Sequence, residues 1–290
     1  MMGICTPRSW GYSMYEEDLI YYVNERESIR RKKEAGEPRP WTRDTILQEY
    51  RFCNVFREDD VVTKWIADWV RPYHYHPMLP FAIGMARMVN LPSTLQDLCF
   101  PTTWDPTQFI EIFASRKLLG KKSWTNAYMI TGGYSKGGEP KEVIIARVLT
   151  GLYKQLKKDP VMMGDELNTI AAKVCTPGIG TFLQGQIVAD LKNTPKWIDV
   201  PDWETWCAVG PGSTAGLNYL AGRPPLKALS HEQFNKEVNE IREIIYNATD
   251  NHYDLCAQNT QNVLCEFSKY IRTRYHGGKP KQVYKPGNTQ

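Results

Sequence analysis

A mostly α-helical fold is what this sequence predicts, and three features predict it. Apolar residues recur at three- and four-residue intervals through most of the chain. Capping residues stand where those patterns begin, and glycine or proline where they end. No stretch alternates strongly enough for a substantial sheet, and there is no internal repeat.

The elements follow in order. Asp18 to Lys33 reads as a helix with a strongly basic end, stopped by Gly36, Pro38 and Pro40. A second begins near Thr42 and carries Ile46, Leu47 and Tyr50 on one face. A third starts at Asp59–Asp60 and places Val62, Trp65, Ile66 and Trp69 at helical intervals. Asp105 caps another, with Pro106 at its first position and Gly120 closing it. Lys121 to Pro140 is glycine-rich and polar, and is expected to form one long loop or small hairpin over an active site. Val143, Ile144, Val148, Leu149, Leu152 and Leu156 then mark an amphipathic helix that Asp159–Pro160 ends. Thr176 to Gly222 is punctuated by glycine. Ser230 and Gln233 form a capping box ahead of Phe234, Val238, Ile241 and Ile245. The last helix is expected over Asn259 to Tyr275. This divides the chain into an N-terminal helix and linker (1–40), a helical body (41–275) with two lobes split near 160, and a basic tail (276–290).

Composition narrows the class. Hydrophobic residues at 42% and charged residues at 23% belong to a globular chain, which excludes disorder and fibrous repeats. Nine tryptophans favour a core or a base-stacking surface. The net charge of +4 permits nucleic-acid binding without demanding it. Seven cysteines without a CxxC pair argue for a reducing cytoplasm rather than a disulfide framework. No signal peptide is read at the N-terminus, and no apolar run approaches the roughly 18 residues of a membrane span, so no membrane partner is expected.

Three segments can carry chemistry. Arg51 to Asp60, RFCNVFREDD, sets Arg51 and Arg57 beside Glu58 and Asp59 around an apolar stripe. Such arginines suit phosphate oxygens, and a neighbouring carboxylate suits proton transfer; surface salt bridges are the plainer account. The second comprises two glycine turns, Gly178 to Gly180 and Gly210 to Gly212, each leading into an apolar helix. They have the form of helix-hairpin-helix elements, in which backbone N–H groups meet a DNA phosphate, with Ser213 and Thr214 alongside. In the third, Glu266, Lys269 and Arg272 share one helix face. His74 and His76 have no third ligand at recognisable spacing, so no metal site is expected. Gly120 to Ser123 lacks the upstream glycine of a P-loop. Cys53 and Cys265 are expected to be buried small apolar groups.

WTRDTILQEYRFCNVFREDD, GIGTFLQGQIVADL, VGPGSTAGLNYL and LCEFSKYIR followed by GGKPKQVY together resemble the α-glutamyl/putrescinyl thymine pyrophosphorylase family. That family includes amino acid:DNA transferases and the helical domain attached to 5-hydroxymethyluracil DNA kinases. The resemblance runs from about Trp41 to Tyr284 and implies a helix-hairpin-helix, DNA-glycosylase-like helical fold. It implies a bacteriophage enzyme of host cytoplasm, acting on double-stranded DNA whose 5-hydroxymethyluracil has been pyrophosphorylated by a separate kinase. An amine or amino acid then displaces pyrophosphate to give a hypermodified thymine.

Roles follow from that implied chemistry. Arg51, Arg57, Lys269 and Arg272 would hold the departing pyrophosphate, and Glu266, Glu58 or Asp59 would take the amine's proton. Tyr50, Trp65 and Trp69 would stack on the flipped base. Gly178, Gly180, Gly210, Gly212, Ser213 and Thr214 would meet the DNA. No cofactor is called for, although Mg2+ is the ion that carboxylates around a pyrophosphate recruit. The resemblance implies a Glu-His pair, found in many though not all family members, where this chain has Gln261 and Asn262. The catalytic aspartate stretch of glycosylases is missing, which argues against base excision. The alternatives are a non-catalytic DNA-binding partner of such a kinase and, further off, a glycosylase.

Overall fold

The computed structural model describes residues 15–125, 138–249, 251–280 and 283. Among them the chain is all-helical, with twelve α-helices, two short 3-10 turns and no strand. It divides into two compact units, one comprising residues 1–57 and 209–290, the other residues 58–208. The expected loop over Lys121 to Pro140 falls largely on 126–137, outside the described residues, as does most of the basic tail. No helix among the described residues is long and apolar enough to cross a membrane.

The first unit holds α1 (Glu16–Glu34), α2 (Thr45–Glu49), α10 (Pro211–Leu220), α11 (His231–Ala248) and α12 (Ala257–Tyr275). α1 runs from three acidic residues, Glu16 to Asp18, to Arg31, Lys32 and Lys33, so its charges complement the helix dipole at both ends. α2 is shorter than its pattern suggests. Asp44, not Thr42, caps it, accepting from the N–H groups of Ile46 and Leu47, and Tyr50 lies just past its end. Ser230 caps α11 by accepting from the Gln233 N–H. The reciprocal half of the box is absent, because the Gln233 amide turns to Glu237 instead. Tyr22, Phe52, Phe267 and Tyr270 cluster in this unit's core, with ring centroids 5.3–6.4 Å apart.

The second unit holds α3 (Val61–Val70), α4 (Leu79–Val89), α5 (Pro92–Leu98), α6 (Pro106–Leu118), α7 (Lys141–Lys158), α8 (Leu167–Lys173) and α9 (Thr181–Leu191). α4 is its axle. Every residue from Leu79 to Val89 is buried, and α3, α5, α7 and α9 pack around it. Asp60 caps α3 through the Thr63 N–H, and Asp105 caps α6 ahead of Pro106. Arg87 on α4 forms a buried ion pair with Asp190 on α9, at 2.5 Å, and also donates to the Thr63 hydroxyl.

Candidate functional site

In the first unit, residues 52–56 leave helical geometry and, with Arg57 at the start of a 3-10 turn, run as a strap against α12. An irregular segment cannot satisfy its backbone within itself, so side chains must do so. The Arg57 N–H donates to Asn259 Oδ1 (3.1 Å), the Asn54 carbonyl accepts from Asn262 Nδ2 (3.0 Å), and the Cys53 N–H donates to Glu266 Oε2 (3.2 Å). Asn259, Asn262 and Glu266 follow one another at steps of three and four, which puts them on one helix face. From α1, the buried Arg26 guanidinium donates to the carbonyls of Phe52 and Cys53 and to Asn54 Oδ1.

The first and third sequence segments are therefore brought together through Cys53 and Glu266. The other Glu266 oxygen, Oε1, lies 2.5 Å from Lys269 Nζ. Burial works against the Lys269 ammonium, yet the Glu266 carboxylate outweighs it and raises the lysine above its ordinary value. Next along the helix, burial pushes the Cys265 thiol up to about 11, with the Glu266 charge adding to it. Cys53, expected to be buried, is exposed because the strap carries its side chain outward while its backbone faces α12.

The remaining predicted residues of this unit are more dispersed. Arg51 and Arg272 are exposed. Tyr50 is half-buried and forms an isolated antiparallel bridge with Val283. Gly210 is the N-cap of α10, and the helix continues through Pro211 and Gly212. A Cβ on Gly212 would lie 2.5 Å from Cys265 Sγ, so this glycine permits α10 to lie close on α12. Ser213 is fully buried; its hydroxyl donates to the Gly210 carbonyl and accepts from Gln261 Nε2. Thr214 is buried as well. Gln261 and Asn262 are thus both ties within this unit. Polar residues spaced three and four apart on a buried helix face were the signal for this network.

In the second unit, the TPGIG segment forms a tight turn from α8 into α9. The Ile179 N–H donates to the Thr176 carbonyl (2.8 Å), and Gly178 has φ +94°. Its missing Cβ would strike Val148, so both the backbone angle and the space require glycine. Gly180 is the N-cap of α9. Trp65 and Trp69 stack on each other, centroids 5.9 Å apart, and their half-buried rings pack against the core.

Glu58 and Asp59 close the 3-10 turn that precedes α3. Asp59 pairs with Lys64 (3.2 Å). Glu58 accepts from Asn193 Nδ2 (3.4 Å) at the edge of a cavity of about 240 Å³. Lys64, Arg71 and His74 line that cavity with Asp190, over an apolar wall of Ile66, Ala67 and Val70. Burial, aided by Arg71, lowers the His74 pKa, so its imidazole is neutral at neutral pH. His76 Nδ1 accepts from the Met78 N–H, and its ring meets Phe100 edge-on.

The class defined by these features is a protein that is all-helical among the described residues, with glycine at the starts of α9 and α10 and polar side chains of α1 and α12 holding an irregular strap. A model of the helical domain of 5-hmdU DNA kinase matches residues 13–279, and the chain belongs to that family. Among individual relatives, a 5-hmdU DNA kinase of Bacillus phage SP10 is 24% identical over 226 residues, which cover 69% of this chain and 36% of the relative. The chain thus spans about a third of the length of that kinase. No solved structure matches it.

Proposed function

We propose that this chain acts on DNA carrying 5-hydroxymethyluracil, replacing pyrophosphate on the pyrophosphorylated base with an amine or amino acid. The observation that carries the reading is the pairing of the buried Glu266 carboxylate with the half-buried Lys269, in one of the two segments on which the resemblance to the thymine pyrophosphorylase family chiefly rests. Family membership supports the substrate class, and we assign the phosphorylating step to a kinase that acts upstream of this transfer. In the transfer, the amine nitrogen bonds to the exocyclic methylene carbon, the carbon–oxygen bond breaks, and pyrophosphate leaves. Glu266, Glu58 or Asp59 takes the amine proton, and Arg51, Arg57, Lys269 and Arg272 balance the leaving charge. Tyr50 in the first unit and, separately, the Trp65–Trp69 pair in the second offer aromatic surfaces for stacking on an extruded base. The turn at Gly178–Gly180 and, separately, the helix start at Gly210 meet DNA phosphates in the manner of helix-hairpin-helix glycosylases, whereas Ser213 and Thr214 are buried and Gly212 packs on Cys265, so these three do not reach the DNA. Mg2+ is the ion such a pyrophosphate would bring.

One observation favours a second reading, in which the chain holds modified DNA for a kinase without turnover. Both Glu266 oxygens are already engaged, and Gln261 and Asn262 tie backbone and side chains rather than facing an open site. Nucleoside mass spectrometry separates the two. DNA bearing pyrophosphorylated 5-hydroxymethyluracil, incubated with the protein and a pool of amines, should yield a thymidine adduct and free pyrophosphate. Binding without an adduct supports the second reading, and release of free base would point to a glycosylase.

A further inference from the structure

Leu118 and Leu119 are consecutive, 88% and 68% exposed, at the end of a helix whose apolar residues Phe109 and Phe113 are buried in the core. A single exposed leucine is ordinary, whereas two adjacent ones held on a braced turn are not. The bracing is specific. Arg116, only 4% exposed, reaches under the turn to the Lys122 carbonyl (2.5 Å), the Ser93 carbonyl (3.0 Å) and the Asp97 carboxylate. The Lys121 N–H returns to the Arg116 carbonyl (2.9 Å), and Gly120 takes φ +64° to close the helix. Lys117, Lys121 and Lys122 stand exposed beside the two leucines.

We infer that this turn is a wedge for duplex DNA: the leucines enter a base step and the three lysines take the flanking phosphates. The inference rests on the DNA-handling reading above and supplies something that reading needs, since a base leaves the stack more readily when side chains occupy its place. The carboxyl end of a helix carries about half a negative charge, which three lysines exceed. A lipid surface would also accept leucines and lysines, but interfacial binding relies on an extended apolar face, and here the apolar face of α6 is buried.

The test uses the full chain and a 2-aminopurine-labelled duplex, whose fluorescence rises when the base unstacks. Wild-type protein should bind and raise the signal several-fold. Leu118→Ser/Leu119→Ser should remove most of that rise at saturation while leaving the salt dependence of binding unchanged. Lys121→Glu/Lys122→Glu should lower the log–log salt slope by about two, as expected for two lost phosphate contacts. A wild-type signal from the leucine variant would overturn the wedge and leave DNA binding standing, whereas a wild-type protein that binds no duplex would remove the DNA-handling reading itself. Leucine-dependent flotation with phosphatidylserine vesicles, or a leucine-dependent change in sedimenting mass, without a 2-aminopurine effect would also overturn it in favour of a lipid or a second copy.

Discussion

Glu266 receives the backbone N–H of Cys53 on one carboxylate oxygen and the Lys269 ammonium on the other, although Cys53 lies 213 residues away in sequence. One side chain therefore fixes the strap to α12 and a cation to the same place. Removing the carboxylate leaves the Cys53 N–H unsatisfied, which is destabilising, and leaves the half-buried Lys269 to water alone. Glu266→Ala should lose about 2–3 kcal/mol in urea unfolding at neutral pH, and Glu266→Gln, which keeps an acceptor for Cys53, about half of that. An alanine variant as stable as wild type would refute the structural role. A glutamine variant that folds but yields no thymidine adduct would separate the chemistry from the fold.

Alkaline pH should loosen this region first. Lys269 and Cys265 are both raised in the folded chain, so the stability each contributes is fully present below its unfolded value and is lost as the pH climbs through its folded one. For Cys265 that window runs from its ordinary 9.0 to about 11, a change worth about 2–3 kcal/mol. Thermal midpoints should therefore fall across this interval. Cys265→Ala should flatten the fall, and an identical pH profile for the two proteins would show that the thiol does not control it.

Much of the fold was legible because caps and periodicity are local signals. Asp60 and Asp105 do cap α3 and α6, and α7, α11 and α12 lie within a few residues of their apolar patterns. α4 was missed for a physical reason. It is buried on every side, so Leu79 to Val89 show no contrast between faces for a helical period to reveal. The polar network was partly legible: the shared face of Glu266 and Lys269 could be read from spacing, whereas the partnership of Glu266 with a backbone N–H near residue 53 is a tertiary fact. The turn at Gly178–Gly180 and the helix start at Gly210 lie where the glycines stand, but Gly212 falls inside α10, and spacing could not tell that Gly212 and Gly216 serve close packing of α10 against α12.

That packing gives a paired prediction. A Cβ at Gly216 would lie 2.3 Å from the Leu264 carbonyl oxygen and 3.0 Å from its carbon, backbone atoms that cannot turn aside. Gly216→Ala should force α10 off α12 and cost about 2–3 kcal/mol. Gly151, inside α7, has nothing within 4 Å of the same added atom. Gly151→Ala should instead stabilise the chain by about 0.5–1 kcal/mol, because alanine has less backbone freedom to lose. Denaturant midpoints moving in opposite directions would support both accounts, while two equal shifts would sink the packing argument.

The Arg87–Asp190 pair is the deepest test of the second unit. Arg87 is 2% and the Asp190 side chain 6% exposed, so neither charge has water to fall back on. Asp190→Asn leaves a buried guanidinium without its counter-ion, and a loss of about 3–5 kcal/mol is expected. Replacing both ends at once, Arg87→Met with Asp190→Leu, should recover much of it, because the cost lies in the stranded charge more than in the lost attraction. Glu58 at the edge of the adjoining cavity is less enclosed, so Glu58→Gln should change stability by no more than about 0.5 kcal/mol. Circular-dichroism melts of the three variants beside wild type decide the matter. If Asp190→Asn proved as mild as Glu58→Gln, the pair would be dispensable and α4 would owe its place to apolar packing alone.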